Sequence, residues 1–259
     1  MKAQYGEVSA KIDGHVVILE IDRPPNNFVS VELMRSLADA LEEADDDKGL
    51  RASVICSAGK AFCAGADLAS PTGVGGAGMQ GINPLYHEAV RLFSIKKPII
   101  MAVQGAAVGA GLGLALVGDF RVAAPEARFV SNFVKLGFHP GFGITHTLPR
   151  VVGQQKALLM CLTGRRIRAE EALAWGLVDE VVPLEDLRAG ALRLATEIAE
   201  NAPLAVIATR KTLRGDLAAA VRAQTSHEHE QQTILRATDD FKEGVKSVAE
   251  RRVGNFTGT

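Results

Sequence analysis

Two segments of this chain gather small residues where chemistry can occur: Lys60-Ala-Phe-Cys-Ala-Gly-Ala-Asp67 and Gln104-Gly-Ala-Ala-Val-Gly-Ala-Gly-Leu-Gly-Leu114. Each closes an apolar run with alanines and glycines, whose lack of bulk lets a ligand oxygen reach bare backbone N–H groups. Two such donors converging on one carbonyl make an oxyanion hole, usually the largest electrostatic contribution to reactions of acyl groups. The second segment also reads as the opening of a helix. First-turn N–H groups there lack intrahelical partners and sit at the positive end of the helix dipole. Taken singly, either glycine cluster is equally well explained by tight helix–strand packing; the pair favours a site. A dinucleotide phosphate loop is the rival use of Gly109-Ala-Gly-Leu-Gly113. The spacing is G-x-G-x-G rather than G-x-G-x-x-G, and Phe129-Val-Ser-Asn, some 20 residues on, lacks the expected carboxylate.

The elements that must position these segments alternate between strand and helix. GEVSAKI and HVVILEID flank Asp13-Gly14, a tight-turn pair, and predict a hairpin over Glu7–Asp22. Arg23-Pro-Pro-Asn-Asn stops its second strand. Ser30 is a capping residue for a helix whose apolar stripe is Val31, Met34, Leu37, Ala38 and Leu41. A buried strand, Ala52–Cys56, leads into the first segment. Residues 70–83, glycine-rich and uncharged, read as a mobile flap. A helix over 84–95, the strand PIIMAV, the glycine-rich turn with its helix, and a strand Phe120–Ala123 follow. Strand–loop–helix therefore occurs twice without sequence repetition. From Gly143 the chain reads as mostly helical, ending in helices near 184–200, 203–213, 216–237 and 239–251, the last with Phe241, Val245 and Val248 on one face.

Bulk properties exclude several classes. With 259 residues and 47% hydrophobic content the chain can bury a core without staples, and a net charge of −1 gives no general affinity for nucleic acid or acidic membranes. Pro98–Gly118 is uncharged and long enough to score as a membrane span, but its five glycines, proline and glutamine break it into strand, turn and helix. Cys56, Cys63 and Cys161 are odd in number and lack metal-ligand spacing, which fits a reducing, cytoplasmic setting. The first residues, MKAQYGEVSAKIDG, contain no apolar stretch of the secretory kind.

AFCAGADL followed by VQGAAVGAGLGLAL resembles the crotonase (enoyl-CoA hydratase/isomerase) superfamily, over nearly the whole length. The resemblance implies an α/β fold: a ββα spiral core over about 1–200 and a helical C-terminal portion, 201–259, used for trimerisation in trimers or dimers of trimers. It favours docking of the last helix on a neighbouring subunit. It implies an acyl-CoA thioester as ligand, no metal, and no cofactor beyond the coenzyme A of the substrate. The N–H groups of Ala64 and Ala110 are the expected oxyanion donors. Backbone contacts to coenzyme A are expected from Ala64, Ala66, Asp67 and Leu68, with Gly109 and Phe133 beside the ligand. In the C-terminal Asn255-Phe256-Thr257, threonine stands where many relatives carry a phosphate-binding lysine.

The chain departs from the family where protons are moved. One hydratase glutamate falls at Gly113, three residues after the second donor; the other falls at Phe133, four before the glycine of Gly137-Phe-His-Pro140. An acid used by some isomerases, one step after that proline, falls at Gly141. Hydration needs a base to activate water and an acid to protonate Cα. Candidate replacements are His139, in the segment lining the acyl pocket of relatives, then His146, His87 and Glu88; His139 reads equally as a half-buried ring bonded to backbone. Cys63, inside the first segment, has no visible activating base. Three functions therefore stay open: a hydratase or isomerase with replaced acid–base groups; another crotonase reaction (thioester hydrolysis, decarboxylation or C–C cleavage); or a non-catalytic acyl-CoA-binding protein.

Overall fold

The computed structural model describes residues 1–66 and 83–259. Its main sheet contains β1 (Gln4–Tyr5), β2 (Val8–Asp13), β3 (Val16–Ile21), β4 (Ala52–Ser57), β5 (Ile99–Val103), β7 (Phe120–Ala123) and β10 (Glu180–Val181), adjacent in that order. The first three strands pair antiparallel and the rest parallel. A second sheet orders β6 (Ala106–Val108), β8 (Arg128–Val130) and β9 (Arg166–Arg168). The expected hairpin forms about Gly14, whose φ of +55° suits a residue without Cβ.

Helix α1 (Val31–Asp46) starts where Ser30 accepts the Leu33 N–H at 3.1 Å, and buries Met34, Leu37, Ala38 and Leu41 as its stripe predicts. It packs with α2 (Pro84–Phe93) on one face of the main sheet, over a core that includes Leu19, Ile55, Phe62, Leu92, Met101 and Phe142. The other face, with Val54, Ile100, Ala102 and Val122, is covered by α7 (Leu187–Ala199). Burial on both faces explains why β4 and β5 are buried throughout and do not alternate apolar with charged residues, β4 carrying only the small polar Ser53 and Ser57.

Between these lie α3 (Ala110–Ala115), α4 (Ile144–Val152), α5 (Gln154–Thr163) and α6 (Ala169–Ala174). The chain closes with α8 (Pro203–Arg214), α9 (Leu217–Arg236) and α10 (Asp239–Ala249). Contrary to the expectation of docking on a neighbour, α10 lies on its own chain. Phe241 meets the Phe138 ring edge-on at 5.3 Å, and a Cβ at Gly244 would fall 2.4 Å from the Leu136 carbonyl carbon. Helix α10 thus packs on the 3-10 turn Phe133–Leu136 and the residues that follow it, with Phe241 and Val245 partly buried and Val248 left exposed. None of the described helices is long and apolar enough to cross a membrane.

Candidate active site

The two small-residue segments are laced together. Cys63 donates its N–H to Ala106 O at 2.9 Å, and Val108 donates to Cys63 O at 3.0 Å, so the first segment runs as an extra strand beside β6. Gly105 and Gly111 are required by this crossing: a Cβ would lie 1.9 Å from Lys60 O at the first and 2.0 Å from Cys63 O at the second. The packing explanation of these glycines therefore holds. Two buried amides hold the arrangement. Asn27 Nδ2 donates to Ala58 O and Ala61 O, each at 2.8 Å, and Gln104 Nε2 donates to Ser57 O at 3.0 Å and Ala61 O at 3.1 Å.

The first oxyanion donor needs correction. Ala64 lines the pocket, but its N–H is engaged by Asn26 O at 2.9 Å. The Gly65 N–H bonds the buried Cys63 thiol. Ala66 is the next residue, and among the described residues its N–H has no partner. On the other side Ala110 is the first residue of α3, which has no side-chain cap; Gly109 turns the chain there at φ +54° and donates its own N–H to Val130 O. Gly65, at φ +100°, brings the strands together: a Cβ there would stand 2.9 Å from Val108 O and 4.0 Å from Ala110 N. Ala66 and Ala110 thus border a single cavity of about 210 Å³, walled by Leu85, Phe133, Leu136, Phe138 and Val248 among others.

The same cavity shows why carboxylates are missing. A Cβ at Gly113 would be 2.6–2.7 Å from the Phe142 side chain, which is fully buried and held at φ +63°. Such a backbone costs a bulky residue about 1–3 kcal/mol, offset here by complete burial of the ring. Gly141 is closed by other groups: a Cβ would fall 1.9 Å from Tyr86 Oη and 2.5 Å from Gln232 Nε2. Phe133 fills the third position and stacks edge-on with Phe138 at 5.4 Å.

A sequence profile of the family described as enoyl-CoA hydratase/isomerase matches residues 11–259. The chain belongs to this family. A 1,2-epoxyphenylacetyl-CoA isomerase of Escherichia coli is 33% identical over 97% of this chain and 98% of its own. A probable enoyl-CoA hydratase of Mycobacterium tuberculosis is 41% identical over 82% of this chain and 83% of its own. The crystal structure of an enoyl-CoA hydratase/isomerase from Pseudoalteromonas atlantica superposes with a TM-score of 0.87 at 32% identity, covering 97% of this chain and all of that one.

Most of the acid–base candidates lie outside this family member's pocket. His139 does not line it. The His139 Nδ1 sits 2.7 Å from Pro140 O and its ring stacks edge-on against His227, so the half-buried reading holds. Local geometry decides this: the short turn through Pro140 sends the ring outward while the His139 carbonyl accepts from Gln232 Nε2 at 2.9 Å. His87 is exposed on the far side of α2. Glu88 is buried in ion pairs with Arg35 and Arg91. His146 lies on α4 away from the cavity, its pKa lowered by burial. Burial raises the Cys63 thiol to about 12, against hydrogen bonds from the Gly65 and Val29 backbone, so it stays an inert thiol. Asp67 and Leu68, like flap residues 70–82, lie outside the described residues. Thr257 turns toward Asp240, which accepts its N–H at 2.7 Å.

Four polar side chains at the cavity, Tyr86, Asn132, Gln232 and Arg236, were not singled out from sequence. Tyr86 donates its hydroxyl to Gln232 Oε1 at 2.8 Å; burial, and then the Glu228 charge, push the phenol far above its ordinary pKa, so it enters as a neutral O–H. Gln232 and Arg236 stand one turn apart on α9. Tyr86 could have been found from the inward stripe Leu85, Tyr86, Ala89, Phe93 of its helix. Nothing local marks Gln232 or Arg236, because the side that α9 turns to the pocket is fixed by its packing on α2 and α4. Glu228, a turn earlier, is fully buried and caps α4: its carboxylate accepts Gly143 N–H at 2.7 Å, Thr145 N–H at 3.1 Å and the Thr145 hydroxyl at 2.6 Å.

Proposed function

We propose that this chain is an acyl-CoA-transforming enzyme that holds a thioester oxyanion or enolate on the N–H groups of Ala66 and Ala110, without the two-glutamate hydration mechanism. The observation that carries the reading is the pair of N–H groups without a partner among the described residues, at the edge of one apolar cavity in a member of the enoyl-CoA hydratase/isomerase family. Fixed backbone dipoles need no reorganisation as charge develops on the thioester oxygen, and an apolar surround strengthens them. Pocket positions 113, 133 and 141 carry no carboxylate, and the first and third are closed by packed side chains. Among the described residues, water addition at Cβ consequently lacks the carboxylate base and acid that the two-glutamate mechanism uses. Tyr86 can donate a hydrogen bond or a proton, and its raised pKa disqualifies it as a neutral-pH base.

The test is a mass-spectrometric time course with crotonyl-CoA, run beside thermal denaturation with the same ligand. The expected result is a raised melting midpoint with no water adduct above the enzyme-free control. Rapid adduct formation would overturn the exclusion of hydration. An unmoved midpoint, with no turnover, would overturn the acyl-CoA site itself.

A further inference from the structure

Arg236 is the one cationic side chain among the described residues lining the cavity. Its guanidinium carbon lies 5.2 Å from the centre of the Phe138 ring and 5.9 Å from that of Phe241. Both rings lie within cation–π distance, and neither offers the guanidinium N–H groups a hydrogen-bond acceptor of the carboxylate kind. Nε is buried without a hydrogen-bond partner. Other arginines of this chain are treated differently: Arg91 has Asp39, Glu42 and Glu88, Arg252 has Glu243 and Glu250, and Arg210 and Arg214 share Asp119. Around Arg236 the acids are already engaged: Glu228 caps α4, Asp239 pairs with Lys242, Asp240 accepts the backbone of Thr257 and Gly258, and Glu243 pairs with Arg252. Among the described residues, Tyr86, a neutral phenol, is the remaining ionisable neighbour. A half-buried cation costs stability unless something pairs with it.

We infer that Arg236 receives an anionic group, a carboxylate carried on the acyl chain of the substrate, and selects carboxylated acyl-CoA thioesters over uncharged ones of the same length. The planar, doubly donating edge of a guanidinium matches a carboxylate. The apolar side chains of Leu136, Phe138 and Val248 on the same cavity wall lower the competition from water at the guanidinium. The inference rests on the acyl-CoA reading above and narrows it to a substrate class. The phosphates of coenzyme A are the competing anion, and the experiment separates the two.

Succinyl-, glutaryl- and adipyl-CoA are titrated against the full-length protein by calorimetry, beside butyryl-, valeryl- and hexanoyl-CoA. The measurements are repeated on Arg236→Gln and Arg236→Lys, with circular dichroism and melting midpoints to establish folding. In the wild-type protein at least one carboxylated thioester binds roughly tenfold or more tighter than its uncharged partner, about 1.4 kcal/mol. Arg236→Gln abolishes that preference while its affinity for the uncharged series stays within about twofold, and Arg236→Lys keeps part of it. Equal wild-type affinity for the two series overturns the inference and leaves the acyl-CoA reading standing. Equal weakening of both series in Arg236→Gln also overturns it, placing the guanidinium on a coenzyme A phosphate. No binding of any thioester overturns both.

Discussion

The two sides of the cavity are built on different principles. On the side of Ala66 and Ala110 the functional groups are backbone N–H, presented by a strand crossing that Gly65, Gly105 and Gly111 make sterically possible. On the side of residues 113, 133 and 141 a hydratase of the family would use side chains, and here Phe142, Phe133, Tyr86 and Gln232 occupy that space. A backbone-built donor is indifferent to most side-chain substitutions and is lost only where its own N–H is removed or its strand crossing is deformed. A site made of side chains can be rewritten by substitution, with the cavity then repacked around the change. Under the proposed function, the described residues would keep the electrostatic half of the family's chemistry without the carboxylates of its usual proton-transfer half.

The strongest way to break this contrast is to remove a backbone donor without unfolding the helix it starts. Ala110→Pro does so, because proline is accommodated at the first position of a helix while its N–H disappears. Turnover of whatever acyl-CoA the enzyme accepts should fall by about 10²–10³ with little change in melting midpoint, while Ala110→Gly keeps most of it. Retained activity in the proline variant would remove Ala110 from the oxyanion hole.

Restoring an acid on the other side should fail for a steric reason. Gly113→Glu drives side-chain atoms into Phe142 and should cost about 1–3 kcal/mol, a fall of roughly 2–10 °C in melting midpoint. Adding Phe142→Ala should recover part of the loss. A single variant as stable as the parent would show that the repacking is not what closes position 113.

A smaller effect belongs to the wall behind the pocket. Burial lifts the Glu228 carboxyl to about 7, against hydrogen bonds from Thr145 and Gly143 that favour the charged form. The folded state then binds the proton more tightly than the unfolded chain, so the contribution is complete below the unfolded value near 4.3 and is lost as pH rises toward 7. Chemical denaturation between pH 5 and 8 should show stability falling with pH, by up to about 3 kcal/mol, with a shallower slope in Glu228→Gln. An identical slope in the variant would assign the pH dependence elsewhere. The smallest effect is expected from His139→Ala. Its ring is bonded to Pro140 outside the cavity, so activity should stay within about twofold, and a larger loss would return it to the proton-transfer candidates.

The sequence was legible where a local rule sufficed. Ser30 capped α1 as its type and position required, Asp13-Gly14 made the hairpin, and small residues in two segments announced close backbone approach. The absence of carboxylates at 113, 133 and 141 was equally visible, being a matter of residue identity. What the sequence could not supply was direction and pairing. Ala64 and Ala66 are chemically alike, and only the Asn26 carbonyl, brought in from a distant turn, decides which N–H remains available. His139 and Tyr86 are both plausible acids on composition. The turn through Pro140 sends one outward, and packing of α2 on α9 sends the other in. Arg236 is an ordinary residue at the end of a helix until Phe138 and Phe241 approach it and, among the described residues, no carboxylate does. Residue types and spacing thus fixed the elements and the kind of chemistry, because these depend on neighbours in the chain. Tertiary packing chose the donors and the charge in the pocket, because those depend on which groups from far apart in sequence are left without partners.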